Sequence, residues 1–153
     1  MPVKQLKEFL DEHHVKYVSI THSKAYTAQE VAASAHVPGG SMAKVIIVEL
    51  DGEMAMAVLP ANRKIVLPDL HDVTGSDQVR FVSEDKFKNR FPDCEIGAMP
   101  PFGNLYGMDV FVADALAQNR EIAFNAGSHE EIIKLAYEDF ERLVQPNLVS
   151  FTT

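Results

Sequence analysis

Four consecutive β-branched residues, Val45-Ile46-Ile47-Val48, leave this chain little choice of local structure. Val and Ile are stiff at χ1 and suit a pleated surface. A run that is apolar at every position, rather than every second one, predicts a strand covered on both faces. Asp51-Gly52 follows as a tight-turn signal, and Met54 to Leu59 supplies the antiparallel return. The centre of the fold is therefore predicted to be a hairpin, and the rest of the chain must provide layers to cover it.

Those layers are visible in the periodicity. Val3, Leu6, Phe9 and Leu10 recur at helical spacing, predicting an amphipathic helix over 3–15. Tyr17 to Ile20 alternates like a strand. Thr27-Ala-Gln-Glu30 has the form of a capping box opening a second helix that runs through Val31 to Ala35 and ends at Pro38-Gly39-Gly40-Ser41. Short helices are expected over 69–73 and 83–91, the latter with Ser83 as N-cap, and a strand over 79–82. Met108 to Val112 and Glu121 to Phe124 are further strands, and Asn125-Ala-Gly127 is read as the turn that closes the last of them. Residues 128–144 admit two readings, one capped helix or a strand at Ile132-Ile133-Lys134-Leu135 leading into a helix at 137–144. The sum is a single α/β domain of the α+β type over residues 1–153, with a sheet at least partly antiparallel.

A length of 153 residues suffices for one core without disulfide or metal staples, and the lone Cys94 excludes an internal disulfide and a multi-cysteine zinc site. No stretch approaches the length of a membrane span and the N-terminus lacks a signal-peptide apolar run, so a cytoplasmic protein without a membrane partner is expected. The net charge of −8 argues against a protein that coats nucleic acid through phosphate attraction. The charge is uneven, however. Residues 1–90 carry 11 basic and 12 acidic side chains, against 3 and 10 in residues 91–153. Arg63, Lys64, Arg80, Lys86, Lys88 and Arg90 could form a small basic face, although Asp and Glu are interleaved among them as on an ordinary solvated surface.

Few residues offer chemistry. Lys44 adjoins the buried run, where its ammonium either snorkels to solvent or projects into a cleft to meet a carbonyl, carboxylate or phosphate. Gly97-Ala-Met-Pro-Pro-Phe-Gly103 cannot be helix or central strand. It is a stiff loop, either a structural corner or a rigid wall of backbone N–H and C=O groups suited to holding an ester carbonyl. Asn125 to Ser128 poses the same choice. The six histidines show no ligand spacing, and no nucleophile elbow, dinucleotide or phosphate-loop motif occurs, so no metal or cofactor is expected. Nothing fixes a general base beside Ser41, Ser128 or Cys94.

Together, Ala43-Lys44-Val-Ile-Ile-Val, the Gly-x-x-x-Pro element from Gly97 to Pro101 followed by Phe102, and Phe124-Asn-Ala-Gly127 resemble the YbaK/ProX family of free-standing aminoacyl-tRNA deacylases, closest to its YeaK branch and similar to the editing domain of bacterial prolyl-tRNA synthetase. The resemblance implies a mixed, largely antiparallel sheet or partly open barrel among short helices. It implies hydrolysis of the ester of mischarged tRNA, with water as nucleophile. Lys44, Gly97, Pro101 and Gly127 would carry the reaction. His22, Tyr26, Thr27, Ser41, Met42, Pro100, Phe102, Asn125 and Ser128 would line the substrate site. The implied partners are the acceptor end of mischarged tRNA and an aminoacyl-tRNA synthetase. The alternative is a module of the same fold that binds tRNA or a synthetase without turnover.

Overall fold

The β-branched run lies inside β2 (Met42–Leu50), which pairs with β3 (Glu53–Pro60) across Asp51-Gly52 in the computed structural model, whose described residues are 4–22 and 28–153. Both turn residues have positive φ, 49° and 89°, the conformation that matches the right-handed twist of the flanking strands. Around this hairpin lie β1 (Tyr17–Thr21), β4 (Val79–Phe81), β5 (Asp109–Ala113), β6 (Glu121–Ser128), β7 (Glu131–Ala136) and β8 (Asn147–Val149). The sheet order is β1-β7-β6-β2-β3-β5-β8, with β4 also on β2. Pairs β1–β7, β6–β7, β2–β3 and β2–β4 are antiparallel, and β2–β6, β3–β5 and β5–β8 are parallel. This is the expected mixed sheet, curled as a half-barrel.

Both faces are covered, as the unbroken apolar runs require. One face packs on Leu6 and Leu10 of α1 (Lys4–Glu12), Phe140 of α5 (Tyr137–Val144), and Phe87 of α4 (Glu84–Phe87). On the other face Val31 and Ala32 of α2 (Ala28–Ser34) cover Met42, Ala61, Ala123 and Ile132. Leu70 of α3 (Leu67–Thr74) joins Val48, Leu59 and Phe151 farther along that face. Phe102 is fully buried, with its ring 5.4 Å from Phe124, 5.5 Å from Phe140 and 6.1 Å from Phe9. Phe102→Ala is expected to destabilise the fold by about 3–5 kcal/mol, read as the shift of a urea unfolding curve.

Several local expectations are corrected. Lys44 is the third residue of β2 and does not precede it, because the strand begins at Met42. Asn125-Ala-Gly127 is not a turn: β6 continues to Ser128 through a bulge, and the chain reverses at His129-Glu130. Ser83 makes no side-chain cap bond, and the helix it was expected to open stops at Phe87, a 3-10 turn following over Lys88–Arg90. Residues 131–136 are strand, since β1 and β6 flank both edges, and β8 was not foreseen. Val3, Tyr26 and Thr27, with the capping box that Thr27 would anchor, lie outside the described residues.

Candidate functional site

The parallel pairing of β2 and β6 covers only Met42↔Ala123 and Ala43↔Phe124. Beyond it the strands part, and a different segment takes up the released edge of β6. Glu95 N–H donates to Gly127 O at 2.8 Å, and Gly127 N–H donates to Ala98 O at 2.9 Å. The Gly97 loop is thus stitched to the end of β6. The same edge of β2 is next engaged by β4, at Val48, and by the Val82 N–H on Ile47 O. The stretch Lys44–Ile46 lies between these two attachments.

Side chains alternate along a strand, so Lys44 shares a face with Met42, and Asn125 shares one with Ala123. Met42 and Ala123 are opposite each other and lie in the same cluster under α2. Lys44 and Asn125 are therefore the next residues on this face, one on each strand, where the two strands diverge. Lys44 Nζ donates to Ala61 O at 3.3 Å, and that carbonyl also accepts from Gln29 Nε2 at 3.2 Å. Lys44 makes no ion pair among the described residues. Burial, and secondarily the Lys64 charge, lower its pKa from the ordinary lysine value. Asn125 is 7% exposed and its buried Oδ1 has no hydrogen-bond donor among the described residues. Such an orphan acceptor costs about 1–3 kcal/mol, and a ligand N–H or O–H would relieve it. An uncompensated cation and an empty acceptor on one face can hold a molecule carrying both an anionic or carbonyl oxygen and a hydrogen-bond donor.

Gly97 and Gly127 hold φ of 87° and 97°, which L side chains rarely adopt. Gly97 is exposed at the loop surface while Pro100 and Pro101 are buried beneath it. Of the remaining expected residues, Met42 and Phe102 are buried in the core, Met42 under α2 on the face of Lys44 and Phe102 in the cluster on the opposite face. Ser41 Oγ donates to Asn119 Oδ1 at 2.9 Å and lines a separate cavity of about 320 Å³ with Arg120 and Lys134. His22 N–H donates to Glu130 O, and Ser128 Oγ accepts from Glu130 N–H, so both belong to the reversal after β6.

Sequence reasoning missed His129. Its ring is 6% exposed, and Nε2 lies 2.8 Å from Ile96 O, directly before Gly97. Its place two residues after Gly127 was the sole cue, because no spacing links it to position 96.

The basic stretch is partly paired with carboxylates, while Lys64 and Arg90 make no ion pair among the described residues. Arg80 and Lys86 lie 3.3 and 3.4 Å from Glu49, and Lys88 lies 3.5 Å from Asp85. Glu49 is five residues beyond Lys44, about 16 Å along the strand. Neutralising Lys86 and Lys88 together is expected to change the KM for tRNA by less than about twofold, measured by steady-state kinetics, because each charge is already offset by an adjacent carboxylate and is only weakly available to phosphate. Among the described residues no group of three or more His, Cys, Asp or Glu could hold a metal ion, and no helix is long and apolar enough to cross a membrane.

A family model described as the aminoacyl-tRNA editing domain matches residues 22–143, and the chain belongs to that family. It is 27% identical to the multifunctional Ser/Thr-tRNA deacylase ProXp-y of Escherichia coli strain K12, over 97% of this chain and 91% of that protein. It is also 27% identical to the prolyl-tRNA editing protein ProX of Acetoanaerobium sticklandii, over 90% of this chain and 87% of that protein. A crystal structure provisionally described as a trans-editing enzyme for prolyl tRNA synthetase superposes with a TM-score of 0.84, covering 99% of this chain and 97% of its own, at 15% identity. At that identity the superposition establishes the fold.

Proposed function

We propose that this protein is a trans-acting aminoacyl-tRNA deacylase that hydrolyses the ester joining a wrong amino acid to the terminal ribose of tRNA. The observation that carries this reading is the placement on one sheet face of the Lys44 ammonium, without an ion pair among the described residues, and the Asn125 acceptor, without a donor among them, beside the Gly97–Pro101 loop. The names of the two curated relatives and the family membership support it.

In this mechanism the acceptor end enters with its ester carbonyl against the loop. Lys44 attracts the terminal phosphate or the carbonyl oxygen. Asn125 Oδ1 accepts from a donor on the aminoacyl group, either its ammonium or a side-chain hydroxyl. Water attacks the carbonyl carbon, the new C–O bond forms, and the bond to the ribose oxygen breaks. The ribose hydroxyl and the free amino acid leave. An ester is already activated, so orientation and amide donors at the developing oxyanion suffice without a side-chain general base. Water, assisted by the ribose hydroxyl of the substrate, completes the proton transfer. Proofreading of this kind is needed where a synthetase pocket gains only about 1–3 kcal/mol of discrimination per methylene. The setting is the cytoplasm, with mischarged tRNA as partner and an aminoacyl-tRNA synthetase as the source from which it is taken.

The test is a deacylation panel of mischarged tRNAs, beginning with seryl and threonyl esters because of the E. coli relative. Release of amino acid above the buffer rate is expected for at least one ester. No release from any, with tRNA still bound, would replace the enzyme by a binding module.

A further inference from the structure

We infer that His129 is a positioning residue that sets the direction of the Gly97 amide, and through it the placement of the ester carbonyl; the inference rests on the deacylase reading of this site. The peptide unit between Ile96 and Gly97 is trans, so its C=O and N–H point in opposite directions. A carbonyl oxygen only accepts, so the 2.8 Å contact requires the proton on His129 Nε2, donated to Ile96 O. That bond anchors one end of the peptide plane. At the other end the Gly97 N–H meets, among the described residues, only Met99 Sδ, at 3.3 Å, and a thioether is a weak acceptor. The Gly97 N–H is thus only weakly held and can be captured by a substrate carbonyl, and the His129 bond to Ile96 O resists rotation of the plane when it is.

The clasp is built on both sides. His129 N–H lies 3.4 Å from Glu95 Oε1, while Glu95 N–H and Ala98 O hold Gly127. The imidazole also lies against Gly97 itself: a Cβ added there would sit 3.5 Å from His129 Cε1. The buried His129 side chain on the β6–β7 reversal thus adds a bond to the backbone pair that already joins the Gly97 loop to Gly127, 30 residues away in sequence.

Two variants test this. His129→Ala removes the donor, and kcat for aminoacyl-tRNA hydrolysis should fall about tenfold to a hundredfold with KM changed by less than about twofold, as a misplaced group costs rate more than binding. His129→Gln places an amide N–H within reach of Ile96 O and should restore most of kcat. In NMR spectra the Ile96 carbonyl-carbon resonance should move upfield in His129→Ala, the signature of a lost hydrogen bond, and return in His129→Gln, while the β2–β3 hairpin resonances stay in place. Unchanged kcat in His129→Ala, a proportional loss in KM, or an unmoved Ile96 carbonyl would each overturn the inference. If the parent protein releases nothing from any ester, the deacylase reading fails, and the Ile96 resonance still decides whether His129 orients the loop.

Discussion

Replacing Lys44 by methionine is expected to lower kcat/KM on mischarged tRNA about a hundredfold while leaving the melting temperature unchanged or slightly raised. The loss has the magnitude seen when a single donor to a developing oxyanion is deleted. The stability result follows from the surroundings of the ammonium. It is half-buried, holds one carbonyl, and has no carboxylate partner among the described residues, so methionine removes a desolvated charge and keeps the stem packed. The sign of the pH effect agrees. With its pKa lowered by burial, Lys44 binds its proton less readily folded than unfolded. Its contribution to stability is therefore present above the unfolded lysine pKa and is lost as pH falls through the folded one. Activity that needs the ammonium should show the reverse trend, declining on the alkaline side before a free lysine would titrate. A loss of activity accompanied by an equal loss of stability would assign Lys44 to the fold instead.

Gly97→Ala is expected to have a comparable effect by a different route. A Cβ would find room, since His129 Cε1 at 3.5 Å is an ordinary contact. The φ of 87° is what alanine resists, at about 1–3 kcal/mol. The loop relieves that strain by rotating the peptides on either side, which moves the Gly97 N–H away from the ester carbonyl. Rate should fall about a hundredfold with a melting temperature lower by a few degrees. Gly52→Ala is the control. Gly52 holds φ of 89° in the β2–β3 turn with nothing within 4 Å of the added methyl, so it bears the same strain far from the site. It should lose similar stability and keep its rate. Equal rates in the two variants would show that the loop conformation does not matter to the reaction.

The hairpin was legible because its signal is local: a β-branched run, a turn pair and a return of matching length. Ile132-Ile133-Lys134-Leu135 was not, because a short apolar run fits a helix or a strand until neighbouring strands occupy both of its edges. Asn125-Ala-Gly127 has the composition of a turn and yet is strand. The 95–98 segment satisfies the Gly127 backbone, and the glycine absorbs the bulge. Arg80, Lys86 and Lys88 read as a basic face by number alone, and in the fold they are partly offset, Arg80 and Lys86 by Glu49 and Lys88 by Asp85.

By its own periodicity and stiffness, the sequence determined a doubly covered central hairpin, a rigid Gly97–Gly103 loop and an isolated Lys44. Only the tertiary structure decided that, among the described residues, Lys44 has no carboxylate partner and the Asn125 acceptor on the same side has no donor, and that His129 bonds the peptide before Gly97. The reason is range. Rotamer, turn and strand preferences act over a few residues, whereas this site is assembled between segments 30 to 80 residues apart, brought together where β2 and β6 separate.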